Sequence, residues 1–181
     1  MRTLGLTLLT LAYPVLVYFG LGHNIEPRWL ALLLVGMALM RAAFGRERVW
    51  LVAAAGALAL AALTFWGNQV MPLKLYPVLV SATLLCVFSV SLAYPPTVIE
   101  RLARLQEPDL PPSGVAYTRR VTQVWCGFFV INGGISLGTV FWASDAGWAL
   151  YNGMISYVLM GGLLAGEWLL RKRFKARAHH A

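Results

Sequence analysis

Six apolar stretches are the feature that most constrains how this chain can fold. They cover approximately residues 3–21, 29–44, 49–66, 75–94, 121–142 and 148–170. A helix needs about 20 predominantly apolar residues to cross about 30 Å of hydrocarbon. We therefore predict an all-α membrane protein whose single domain, residues 1–170, contains six transmembrane helices. The first stretch is too long for a signal-peptide core and lacks a small-residue cleavage site, so we expect it to be retained.

The lysines and arginines between these stretches alternate in number along the chain. Thirteen of the fifteen lie near the two termini and in the second and fourth connections, whereas the odd-numbered connections hold only Arg28 and Lys74. Segments that stay in the cytoplasm carry such an excess of basic residues. The pattern predicts a multi-pass protein of the bacterial inner membrane with both termini in the cytoplasm.

Composition agrees with a chain that faces lipid. Only 12% of the residues are charged and the mean hydropathy is +0.68, whereas soluble domains carry about 25% charged residues. The net charge is +8, but the basic residues flank apolar spans, which favours anionic lipid headgroups over nucleic acid as their partner. Cys86, Cys126 and the three histidines form no metal-ligand pattern. We therefore expect neither a metal nor a cofactor.

The connection at residues 95–120 is the longest. Pro95 and Pro96 end the fourth span, and residues 97–106 predict a short amphipathic helix in the headgroup plane, with Leu102 and Leu105 on its apolar face. Residues 107–114 predict a proline-rich linker. The loop either only positions the flanking spans or docks a cytoplasmic partner. The candidate docking residues are Glu100, Arg101, Arg104, Tyr117, Arg119 and Arg120.

The basic tail, residues 171–181, is predicted to lie in the cytoplasm against the membrane surface. Each basic residue near an anionic surface contributes about 1 kcal/mol to binding. The candidate headgroup ligands are Arg171, Lys172, Arg173, Lys175 and Arg177.

Three polar residues at membrane depth form a candidate intramembrane site: Asn132, Asn152 and Glu167. Such groups are costly in lipid, so they either bond across helices or handle a proton or ligand. Glu167 stands four residues before Arg171, a spacing that favours an ion pair on one helix face. The sequence is compatible both with a structural role, in which these groups bond across helices, and with a functional role in handling a proton or ligand.

Small and aromatic residues predict how the last spans pack. Two G-x-x-x-G steps, Gly134 with Gly138 and Gly162 with Gly166, predict a tight hairpin of spans five and six, since glycines permit close backbone approach.

Aromatic residues at span ends predict interfacial belts. We place Trp66, Trp142 and Trp148 at the outer ends, and Trp50, Tyr94 and Trp168 toward the inner ends.

Recognisable catalytic motifs do not occur in the sequence. It has no nucleophile elbow, phosphate-binding loop, H-E-x-x-H or dinucleotide fingerprint. We therefore expect no catalytic residues.

Four segments carry a resemblance to known families: residues 95–102, 110–112, 117–122 and 125–133. They resemble a family of uncharacterised bacterial inner-membrane proteins that is commonly encoded among the ketosynthases and acyl carrier proteins of aryl-polyene pigment clusters. The same region distantly resembles the intracellular septation protein A family, which shares Trp125, Phe128, Phe129 and Gly133. This chain has Leu150 where that family tends to have asparagine, with Asn152 shifted along. Neither family has an established catalytic mechanism from which catalytic residues could be assigned in this chain.

These observations predict a non-catalytic scaffold or accessory protein in envelope biology, or in making and placing a lipid-like, aryl-polyene-type product. Its expected partners are the anionic bilayer surface, a cytoplasmic acyl carrier protein or another biosynthetic or envelope protein, and further copies of itself. One alternative is a transporter or flippase for a lipid or polyene, with a polar cavity lined by Asn132, Asn152 and Glu167. Another is a membrane-embedded acyl-modifying enzyme, which needs a catalytic constellation that the sequence does not display.

Overall fold

The computed structural model describes residues 13–44 and 48–178, and every regular element in these ranges is a helix. For residues 41–44, 48–50 and 172–178 only the helical backbone is described. The helices are α1 (Tyr13–Gly22), α2 (Pro27–Phe44), α3 (Arg48–Gly67), α4 (Met71–Lys74), α5 (Tyr76–Ala93), α6 (Val98–Arg104), α7 (Pro112–Trp142), α8 (Asp145–Leu150) and α9 (Ser156–Ala178). A π-helical segment, Tyr151–Ile155, joins α8 to α9.

Three helical stretches are long and apolar enough to cross a membrane: Met71–Ala93, Pro112–Trp142 and Asp145–Arg171. Three shorter apolar helices, Tyr13–Gly22, Pro27–Met40 and Leu51–Gly67, lie where the first three spans were predicted. Residues 3–12 of the predicted first span are outside the described part of the chain. The all-helical membrane class is confirmed, whereas six spans and the placement of the termini stay predictions.

The fifth helix begins earlier than the sequence pattern predicts. Pro111 has an extended backbone and Pro112 occupies the first turn of α7, where a missing N–H leaves no helical bond unmade. The predicted linker is therefore wrong in its last three residues, and the long loop ends at Pro111. At the other end of the chain, α9 continues to Ala178, so most of the predicted tail is helical.

The main core is formed where small side chains let α2 and α3 approach closely. Their contact is an alanine seam in which each side chain is almost fully buried, consisting of Ala31, Ala38, Ala54, Ala57 and Ala61. Larger residues from α1, α4, α5 and α8 complete this core: Tyr13, Leu73, Tyr76 and Trp148. The outer faces are apolar as well: Val52 is 70% exposed and Ile131 is 66% exposed, as expected for helices that contact lipid.

A second seam joins α5 to α7 through aromatic rings. The ring centroids of Phe88 and Phe129 are 5.2 Å apart, and those of Trp125 and Phe129 are 5.7 Å apart. Further along the seam, a Cβ added at Gly133 would lie 3.1 Å from the Cβ of Ser81. The glycine therefore permits the close approach of α5 and α7. The Trp-x-x-Phe-Phe-x-x-x-Gly pattern is thus a helix-packing pattern in this chain.

Pro77 determines how the N-terminal end of α5 is held. A proline lacks the N–H that would bond the carbonyl four residues earlier, which here is that of Leu73. The buried Tyr13 hydroxyl donates to this carbonyl at 2.9 Å. The neighbouring carbonyl of Lys74 accepts a hydrogen bond from Trp148 Nε1 at 3.2 Å. The break between α4 and α5 is thereby tied to both α1 and α8.

Trp148 is consequently a core residue, with 1% of its surface exposed. Its predicted place in the outer aromatic belt is wrong, because its indole N–H finds a partner inside the protein. Trp66, Trp142 and Tyr94 are 84%, 87% and 74% exposed, and Trp168 is 54% exposed. These four residues have the exposure that the interfacial belts require. The side chain of Trp50 lies outside those described.

We predict that Tyr13→Phe destabilises the protein by about 1 kcal/mol, because the Leu73 carbonyl would lose the hydrogen bond from the Tyr13 hydroxyl that ties α1 to it. Adding Pro77→Ala should recover part of this loss, since alanine at this position brings an N–H that can bond the same carbonyl. Thermal unfolding in detergent would measure both variants. Tyr18→Phe is the matched control, as Tyr18 is a partly exposed tyrosine of the same helix. Equal losses in the Tyr13 and Tyr18 variants would contradict the prediction.

Candidate functional site

Asn132 lies at the centre of a buried polar cluster between the three long helical stretches. Its Nδ2 donates to Ser81 Oγ of α5 at 3.3 Å. Its Oδ1 accepts hydrogen bonds from Ser156 Oγ at 2.8 Å and from the Tyr151 hydroxyl at 3.1 Å. One amide of α7 therefore binds α5, the π-helical segment and α9.

Asn152 forms the second half of this cluster from within the π-helical segment. Its Oδ1 accepts from Ser136 Oγ at 2.7 Å. Its Nδ2 donates to Thr139 Oγ1 at 3.1 Å and to the carbonyl of Trp148 at 2.9 Å. The bond to Trp148 gives the carbonyl of that residue a side-chain donor from Asn152, four residues later in the chain. It lies where the α-helix changes to π-helical geometry. The two asparagines thus bond across helices, as one of the two interpretations of the sequence predicted.

A cavity of about 40 Å³ lies beside these amides, between α5, α7, α9 and Pro14 of α1. Ser81, Asn132, Asn152 and Ser156 supply its polar wall. A carboxamide can make four hydrogen bonds, and each asparagine makes three with the described residues. The space suits one or two water molecules rather than a lipid or polyene substrate.

Glu167 is not part of this cluster. It lines a separate groove of about 390 Å³ between α7 and α9, together with Tyr117, Val121, Val124, Trp125 and further residues of both helices. The Tyr117 hydroxyl donates to the Glu167 carbonyl at 3.4 Å. Among the described residues, Glu167 and Arg171 do not approach as an ion pair, in contrast to the predicted i,i+4 contact. The structure therefore does not bring together the three residues of the predicted intramembrane site.

The predicted packing glycines do not lie where α7 and α9 touch. A Cβ added at Gly134, Gly162 or Gly166 would meet no atom within 4 Å, and one at Gly138 would meet only Trp142 of its own helix. Gly162 and Gly166 instead line the open groove. The two helices are joined near α8 and the π-helical segment, through Asn132 and Asn152. The tight hairpin predicted from the glycines is therefore not seen in the described residues.

Helix α6 turns a different face to the protein than its sequence predicts. Glu100 and Ala103 are buried, whereas Leu102 is 56% exposed and Leu105 is 81% exposed. The buried carboxylate is possible because Arg104 donates to Glu100 Oε1 at 3.0 Å and to the Pro108 carbonyl at 3.1 Å. The Thr97 hydroxyl caps the helix by accepting a hydrogen bond from the N–H of Glu100 at 3.2 Å.

The arginines of the long loop and of the start of α7 contact different parts of the protein. Arg101 Nε donates to the Pro96 carbonyl at 3.1 Å. Arg119 donates to the Leu92 carbonyl at 3.1 Å, so that a cation lies at the C-terminal end of α5. Arg120 lines the groove with Tyr117 and Glu167. The six predicted docking residues therefore do not form one surface. Glu100 is buried, Arg101 and Arg104 lie on α6, Arg119 binds the end of α5, and Tyr117 and Arg120 line the groove.

Both cations on the predicted outer side are paired with carboxylates. Arg28 pairs with Glu26, and Lys74 pairs with Asp145 of α8. The Arg28 guanidinium, through its hydrogen bond, holds the pKa of the Glu26 carboxyl below its ordinary value. Of the predicted headgroup ligands, Arg171 lies within the described side chains, and those of Lys172, Arg173, Lys175 and Arg177 lie outside them.

In the ranges 13–44 and 48–178 no group of three histidine, cysteine or acidic side chains is arranged to hold a metal ion. Comparison with protein families, with curated proteins and with solved structures finds no match to this chain. The resemblance to the two bacterial membrane-protein families therefore stays a prediction.

Sequence reasoning missed the hydroxyl groups that complete the polar cluster: Ser81, Ser136, Thr139, Tyr151 and Ser156. A signal for part of the set was present, since Asn132 and Ser136 are four residues apart, as are Asn152 and Ser156. This spacing places each pair on one helix face. Ser81 had no such signal, because its partner is 51 residues away in the chain.

We predict that Asn132→Leu lowers the free energy of unfolding by about 1–2 kcal/mol, because three hydroxyl partners would lose their shared amide. Gln123→Leu provides the matched control, since that amide is exposed on the same helix. Thermal unfolding of both variants in detergent would measure the difference. If Asn132→Leu were as stable as Gln123→Leu, the cluster would not stabilise the bundle.

Proposed function

We propose that this chain is a non-catalytic accessory protein of the bacterial inner membrane. It docks an acidic acyl carrier protein at its cytoplasmic face and thereby places a lipid-like, aryl-polyene-type product at the bilayer. The carrying observation is an ordered surface of exposed leucines and arginines on and beside α6. We call this the basic loop surface, and it consists of Arg101, Leu102, Arg104, Leu105 and Arg119.

The mixed character of this surface supports a protein partner. Leu102 and Leu105 are mostly exposed. Arg101 and Arg104 belong to the same helix and are held by hydrogen bonds within the loop, while Arg119 of α7 binds the Leu92 carbonyl at the end of α5, where the loop begins. A partner with acidic side chains around an apolar centre would match both features, and complementary charge would also accelerate its association. Acidic carriers of acyl chains have this chemistry, and they bring the chain to the membrane in which the product is placed.

The internal bonding of the membrane helices supports a role without transport. A transporter or flippase requires a polar path, for which the sequence offered Asn132, Asn152 and Glu167. The two amides bond to neighbouring helices around a cavity of about 40 Å³, and Glu167 lines a different groove. The observed polar groups therefore favour a rigid scaffold over a substrate pathway.

We expect the purified full-length protein in nanodiscs to retain an acidic acyl carrier protein in a pull-down. Reversing Arg101, Arg104, Arg119 and Arg120 to glutamate together should abolish that binding, because three of these residues belong to the basic loop surface, which would then repel an acidic partner. Binding to the unchanged protein should also weaken as the salt concentration rises, since exposed charges are screened. Unchanged binding by the fourfold variant would refute the proposal.

Single substitutions separate a lost contact from a disrupted loop, because Arg104 and Arg119 also hold the loop. Arg101→Glu and Leu105→Ser should each weaken binding about fivefold, as expected for one ion pair or one apolar contact at the edge of an interface. Arg120→Glu makes the same charge change on the groove and should leave carrier binding intact. Equal effects of Arg101→Glu and Arg120→Glu would mean that net charge, rather than this surface, determines binding.

A further inference from the structure

We propose that the groove between α7 and α9 binds a phospholipid whose headgroup carries both a phosphate and a primary ammonium, as in phosphatidylethanolamine. The groove is separate from the basic loop surface. This inference therefore holds or fails independently of carrier docking.

The polar end of the groove presents one cation and one anion. Arg120 comes from α7 and Glu167 from α9, and both line the same space. Glu26–Arg28, Lys74–Asp145 and Glu100–Arg104 form ion pairs, whereas Arg120 and Glu167, both within the described side chains, do not pair with each other. Arg120 and Glu167 thus line one groove without pairing with each other, and the Tyr117 hydroxyl lies beside Glu167. A ligand in this groove therefore meets a cation from one helix and an anion from the other.

A zwitterionic headgroup satisfies both charges at once. The planar guanidinium of Arg120 suits the oxygen atoms of a phosphate. The carboxylate of Glu167 can accept hydrogen bonds from an ammonium group attached nearby on the same headgroup. An anionic headgroup without an amine would leave Glu167 facing a second negative charge, which disfavours it.

The remaining wall suits an acyl chain. Val121, Val124, Trp125, Leu163 and Leu170 are apolar, and Gly162 and Gly166 leave open space beside α9. The volume of about 390 Å³ lies within the range of about 300–1,000 Å³ that is typical of ligand sites. Val124 and Leu170 are also more than half exposed, so the groove opens onto the lipid-facing surface of the helices.

The location of the polar end agrees with this occupant. Arg120 immediately precedes the predicted fifth span, and Glu167 lies three residues before the predicted end of the sixth. Both residues are therefore expected at the cytoplasmic membrane interface, where headgroups lie. Basic pockets between helices on this side of the membrane bind lipid headgroups in other proteins.

Native mass spectrometry of the full-length protein would test the proposal, with phosphatidylethanolamine and phosphatidylglycerol of identical acyl chains added in equal amounts. We expect preferential retention of phosphatidylethanolamine. Glu167→Gln should reduce that preference about fivefold while phosphatidylglycerol remains bound, and Arg120→Gln should weaken retention of both lipids, as for interfacial ion pairs.

Glycine substitutions supply a matched pair that does not depend on charge. Gly162→Leu fills the groove and should remove lipid retention. Gly161→Leu makes the same change at the adjacent position, where an added Cβ also meets nothing within 4 Å, but Gly161 does not line the groove. Equal retention by the two variants would overturn the proposal. A dimer that is lost only in Gly162→Leu would overturn it as well, because a second copy of the chain would then occupy the groove.

Discussion

Two asparagine side chains, Asn132 and Asn152, determine how the long helices meet, because hydrocarbon offers an amide no alternative partner. Their hydrogen bonds reach α5, α7, α8 and α9 within one contiguous cluster. Individual bonds of this kind are weak in membranes, about 0.6 kcal/mol on average. Their larger effect is on geometry, since only a narrow range of helix positions satisfies all of them together. The same helices also form the α5–α7 aromatic seam and the groove between α7 and α9, and Trp125 belongs to both.

Much of the architecture could be predicted from the sequence because a helix that crosses lipid must be predominantly apolar along its whole length. Apolar length indicated where the helices lie, and Pro95 and Pro96 marked the end of α5 correctly. Pro112 was misassigned because the same residue that ends one helix can begin another, and only the neighbouring backbone decides between the two. Trp148 was misassigned for a related reason. Its position suggested a membrane interface, while its burial depends on a carbonyl that is 74 residues away in the chain.

The candidate site could be predicted only in part. Polarity at depth identified both asparagines, but their hydroxyl partners come from other helices at distances in sequence that no local pattern reveals. The glycine pairs were misleading because G-x-x-x-G spacing shows that a helix can be approached closely, but not from which side. In this chain Gly133, outside both pairs, lies in the tight contact. For α6, the hydrophobic pattern was outweighed by the Glu100–Arg104 pair, which makes burial of a carboxylate possible and leaves two leucines outside.

The π-helical segment has a consequence for the rotational phase of the chain's last helix. A π segment accommodates one additional residue in a helix that is otherwise α, and each residue of an α-helix turns the chain by about 100°. Deleting one residue within Tyr151–Ile155 would keep every apolar stretch and every charge, yet it would rotate the face of α9 that carries Glu167 away from α7. The hydropathy profile of the chain would remain almost the same after this deletion. The one additional residue of the π segment therefore determines which face of α9 is turned toward α7.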